Sequence, residues 1–61
     1  MPNLTSKELS AIEDQLNMEQ LLVKKFQTVA QLTSDPQIRT KCENIAKKHQ
    51  EHIGKLISHL N

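Results

Sequence analysis

Apolar residues return along the first half of the chain at intervals of three and four: Leu9, Ile12 and Leu16, then Val23, Phe26 and Ala30. With Glu19 in the gap between Leu16 and Val23, the series occupies one face of an α-helix. Thr5 followed three residues later by Glu8 is a capping box, in which the hydroxyl and the carboxylate each satisfy one amide left without a partner at a helix start. The series is interrupted at Ser34, Asp35 and Pro36. These read as a cap, an acidic first-turn residue and a proline whose missing amide hydrogen is harmless at the first helical position. Beyond them Ile38, Cys42, Ile45, His49, Ile53, Leu56 and Leu60 resume the helical spacing, with His52 on the flank of that face. The pattern predicts an all-α single domain over 1–61, with helix one over about 5–33 and helix two over about 36–60. It leaves no room for a strand, an internal repeat or a linker. Gly54 falls on the solvent side of helix two, where it interrupts no packing.

A connection of two or three residues makes long consecutive helices lie antiparallel as neighbours. Leu22 and Val29 widen the apolar arc of helix one beyond what a single facing helix covers, so a bare hairpin leaves apolar surface in water. The expectation is an all-α antiparallel two-helix hairpin that dimerises into a four-helix bundle. Met18, Leu21 and Leu32 fall on the outer side of helix one, either as scattered exposed residues or as a contact for a partner.

Glu19 is the one charged member of the apolar series, and burying a lone carboxylate is costly. Counted from a turn centred near Ser34, Glu19 lies 15 residues before it and His49 15 residues after it, so the antiparallel hairpin brings them to one level. His52 follows one turn later on the same side. Glu19, His49 and His52 are therefore the candidate metal ligands, converging from distant parts of the sequence. A dimer axis through the bundle middle would gather two copies of each into one polar layer, enough for one or two ions. The same residues also suit a metal-free, hydrogen-bonded layer that sets register and partner choice. Both readings are open at this point.

Composition narrows the remaining choices. Eight Lys and Arg against seven Asp and Glu, spread along the chain, offer no basic block for nucleic acid. One Phe without Trp or Tyr leaves little to stack on bases or to line a large apolar pocket. Met1, Pro2, Asn3 and Leu4 do not begin a signal segment, and no apolar run reaches membrane-spanning length, so a soluble protein not exported by the general signal route is expected, without membrane. At 61 residues a lone core is marginal, and the single Cys42 cannot form an internal disulfide, so stability must come from association or a ligand. Cys42, on the apolar stripe with no His or basic group one turn away on that face, reads as a packed and unreactive residue. His59 and the pairs Lys24-Lys25 and Lys47-Lys48 read as solvated, and no residue is assigned a catalytic role.

The segments Lys7-Glu8-Leu9, Ile12-Glu13-Asp14-Gln15-Leu16, Met18-Glu19-Gln20-Leu21-Leu22, Asp35-Pro36-Gln37-Ile38-Arg39 and Lys48-His49-Gln50-Glu51-His52 resemble a known family over residues 5–60. It is that of the short spore coat protein F-like chains of endospore-forming bacteria, within the ferritin-like helical bundles. The resemblance implies a structural or assembly role in sporulation, located in the cytoplasm or the spore coat. It also implies a homodimer and contacts with other coat proteins. Ferritin-like carboxylate proteins take a Glu from one helix and a Glu-x-x-His from the other. Glu19 matches the first and His52 the final His, whereas His49 stands where the second Glu would be. Two carboxylates in a dimer are too few for two divalent ions, so a single zinc or iron ion suits the ligand types better. The competing expectation is a minimal ferritin-like metalloprotein that binds iron, manganese or zinc and performs redox chemistry, an expectation that rests on fold analogy.

Overall fold

The computed structural model describes residues 4–60 and consists of two α-helices, α1 (Ser6–Leu32) and α2 (Pro36–Ser58), packed antiparallel along their length. The leader reading rests partly on Met1, Pro2 and Asn3, which lie outside the described residues. Thr5 caps α1 as its sequence implies. Its hydroxyl accepts a hydrogen bond from the Glu8 amide at 3.1 Å, and its own amide donates to the Glu8 carboxylate at 3.2 Å.

The second cap corrects the sequence reading, because Asp35 rather than Ser34 is the capping residue. Its carboxylate accepts from the amides of Gln37 at 2.8 Å and Ile38 at 3.3 Å. Pro36 explains the choice: as the first helical residue it makes its predecessor the cap, and a carboxylate there also faces the positive end of the helix. At the far end α2 closes earlier than the apolar series suggests. The amides of His59 and Leu60 bond to the carbonyls of Leu56 and Ile57, a tighter final turn.

The turn is held by a residue that the apolar pattern does not reveal. Arg39 donates from Nε to the carbonyl of Ala30 at 3.1 Å and from Nη2 to that of Thr33 at 2.9 Å. Carbonyls at the C-terminal end of α1 have no partner within their own helix, so one guanidinium on α2 satisfies that of Ala30 together with that of the cap residue Thr33, and ties the helices together.

Among the described residues the buried apolar ones between the helices are Val23, Ala30, Cys42 and Ala46. Ala46 is only 3 % exposed and lay outside the expected stripe. Alanine fills little volume, and its burial here follows from close approach of the helices. Leu9 and Ile38, at the ends of the expected stripes, remain exposed, as do Met18, Leu21, Val29, Leu32 and Ile57. The hairpin is thin, 47 × 15 × 10 Å, and among the described residues no large side chain is fully buried. No described helix is long and apolar enough to cross a membrane.

Two substitutions probe this packing. A Cβ added at Gly54 meets nothing within 4 Å, so Gly54→Ala should raise stability by about 0.5–1 kcal/mol in urea unfolding through lower unfolded-chain entropy. A loss of stability would show that the outer side of α2 is occupied. Cys42 is buried beside the neighbouring helix, and Cys42→Ala should cost about 1 kcal/mol. In the native protein its thiol should react with a soluble thiol reagent far more slowly than in urea, and fast stoichiometric labelling would contradict that burial.

Candidate metal centre

Glu19 lies near the middle of α1, while His49 and His52 sit one turn apart on α2. The structure brings all three together. His49 Nδ1 is 3.3 Å from Glu19 Oε1 and 3.2 Å from Oε2, and His52 Nδ1 is 3.0 Å from Oε2. One nitrogen or oxygen from each residue can be chosen such that all lie within 4.8 Å of one another. Glu19 is only 5 % exposed, yet its carboxylate has several polar neighbours. Among the described residues no buried side-chain nitrogen or oxygen is left without a partner.

Two residues outside the expected set complete the surroundings. Gln15, one turn before Glu19, donates from Nε2 to Glu19 Oε1 at 3.4 Å. Its i to i+4 spacing was available in the sequence as a signal. The ring of Phe26 stacks on His49, with centroids 6.2 Å apart and planes 16° from parallel. His49 and His52 meet edge to face at 5.7 Å. Phe26 and Glu19 thus hold the imidazole of His49 between them, whereas the side chain of His52 is 55 % exposed. A cleft of about 260 Å³ opens beside it, lined by Gln15, Glu19, His52, Lys55 and Leu56.

These distances serve two kinds of chemistry. Nδ1–H groups donating to a carboxylate account for separations of 3.0–3.3 Å, and each imidazole then keeps Nε2 as an acceptor or ligand. Alternatively, oxygen and nitrogen ligands bound at about 2.0–2.2 Å to one ion stand about 3–3.4 Å apart. The Glu19–imidazole separations match that spacing, and with all three ligand atoms within 4.8 Å of one another the cluster could hold a metal ion once the side chains draw in around it.

The electrostatics are those of a carboxylate held ionised inside a helix pair. Burial pushes the Glu19 carboxyl up, but the hydrogen bond and charge of His49, followed by those of His52, together outweigh it and leave the pKa below its ordinary 4.5. A carboxyl so depressed binds fewer protons in the folded chain than in the unfolded one. Its contribution to stability is fully present above about pH 4.5 and is lost as pH falls through the folded value. In chelator-treated protein the melting midpoint should therefore fall on acidification below that point, and Glu19→Gln should flatten this part of the profile. An unchanged acid slope in Glu19→Gln would assign the effect to other carboxylates.

Comparison with protein-family models, with curated proteins and with solved structures finds no match to this chain. The functional reading therefore rests on the residues themselves.

Proposed function

We propose that this chain is a single-domain, self-associating helical-bundle protein in which Glu19, His49 and His52 bind one divalent ion, zinc or iron, that ties α1 to α2. The observation that carries the reading is the convergence of a buried carboxylate and two imidazoles at ligand spacing from opposite helices. The ion would take the place of hydrogen bonds across the helix pair and add to stability through its affinity for the folded state alone. Self-association is supported by the thin hairpin and its exposed apolar residues. The sequence resemblance to spore coat protein F-like chains supports a structural role in a ferritin-like homodimer, with other coat proteins as further partners and the cytoplasm or spore coat as its location.

A second reading, a minimal ferritin-like redox metalloprotein, is favoured by one feature. The cleft beside His52 leaves the cluster open on one side, and catalytic metal sites keep such a position. Metal analysis of protein purified without oxygen tests the main proposal. Zinc or iron in a fixed ratio to the chain is the expected result, and its absence after reconstitution with either ion would leave only the hydrogen-bonded layer. Turnover of oxygen or peroxide by the iron form would favour the second reading.

A further inference from the structure

The two long sides of the hairpin differ in composition. In an antiparallel pair, residues whose numbers have a constant sum lie at the same height. Val29 with Ile38, Leu22 with Ile45 and Gln15 with His52 form three such rungs, each seven residues from the next on both helices. The cleft shared by Gln15 and His52 confirms that these flanks lie on one side. Leu22 and Ile45 are half-buried, Val29 and Ile38 exposed. The opposite side carries the polar pairs Gln31 with Arg39 and Gln27 with Glu43, around a groove of about 630 Å³ that Ala30 also lines. Among the described residues the large exposed apolar side chains on that side, Leu9 and Ile57, lie toward the open end.

We infer that a second copy of this chain docks on the face made by the rungs Val29–Ile38, Leu22–Ile45 and Gln15–His52, and that this contact closes the open side of the Glu19–His49–His52 cluster. The inference rests on the self-association proposed above and assigns its surface. Area argues for a second copy. The broad side of a body 47 Å long and 15 Å wide has a footprint of about 700 Å², of the order of the ~800 Å² that each partner contributes to a stable interface, and the three rungs occupy about 21 Å of its length on the half nearer the turn. A matching hairpin covers the whole side, whereas a single short peptide does not. The polar rung has the same logic: His52 carries its Nδ1 bond to Glu19 inward and leaves the rest of its ring outward, where docking removes it from water.

The test places a single cysteine on either side of the hairpin, in full-length Cys42→Ala protein. Val29→Cys reports the proposed face and Gln27→Cys the opposite one, and both are labelled with a soluble thiol reagent over a range of protein concentrations. Labelling of Val29→Cys should slow severalfold as concentration rises, while that of Gln27→Cys, a position exposed in the folded hairpin as in the unfolded chain, changes far less. Protection of Gln27→Cys instead, or of both equally, overturns the assigned face while leaving self-association intact. A monomer by sedimentation at every concentration overturns both. Zinc content read on the same samples separates the metal reading. Protected Val29→Cys without bound zinc removes the metal and keeps the face, and bound zinc with an unprotected Val29→Cys does the reverse.

Discussion

Glu19→Leu should abolish uptake of divalent metal, lowering affinity by more than about 100-fold, while the metal-free protein melts no lower than its parent. The carboxylate is the central member of the cluster, since both imidazoles reach it through Nδ1 and Gln15 reaches it as well. Without it, two histidines one turn apart on α2 remain, too few ligands for a firm zinc or iron site. Stability behaves differently from affinity. A buried carboxylate gives up its water to be there, and a leucine of similar reach fills the space between the helices without that cost. The imidazoles released by the change are not stranded, because His52 is largely exposed and His49 keeps its stacking on Phe26. Isothermal titration with zinc, paired with melting in chelator, separates the two effects. Undiminished zinc binding in Glu19→Leu would place the metal elsewhere, and a large loss of metal-free stability would show that the polar layer itself holds the fold.

The second large effect is on the melting midpoint, which should rise with protein concentration by about 5 °C for each tenfold increase. The figure follows from mass action. A tenfold change is worth about 1.4 kcal/mol per dimer, spread over the unfolding entropy of two such chains. The physical cause is the small interior of one hairpin. Val23, Ala30, Cys42 and Ala46 are its buried apolar residues among those described, and two of the four are alanines. Burial on that scale does not offset the conformational entropy of ordering two long helices, so folding and association are expected to occur together. Circular dichroism at several concentrations decides it. A midpoint independent of concentration would describe a hairpin stable as a monomer, and would withdraw the need for a partner.

Local interactions determined much of this protein from sequence alone. Spacings of three and four residues, the Thr5–Glu8 box and the Asp35-Pro36 break act within one helical turn, and they specify two helices and a tight turn without reference to the rest of the chain. Equal distance from that turn placed Glu19 level with His49, because the rise per residue is the same in both helices. Even the misplaced cap was a one-residue ambiguity within a local motif. What tertiary structure decided is how each helix is rotated about its own axis against the other. That rotation depends on many small contacts at once, and periodicity leaves it free over a wide arc. It turned Ala46 inward and Leu9 and Ile38 outward, carried Arg39 across to the carbonyls of α1, and directed both Nδ1 atoms at one carboxylate. It also gathered Leu22, Val29, Ile38 and Ile45 on the same side as His52, since the flank of an antiparallel partner is set by packing and not by the order of residues along the chain.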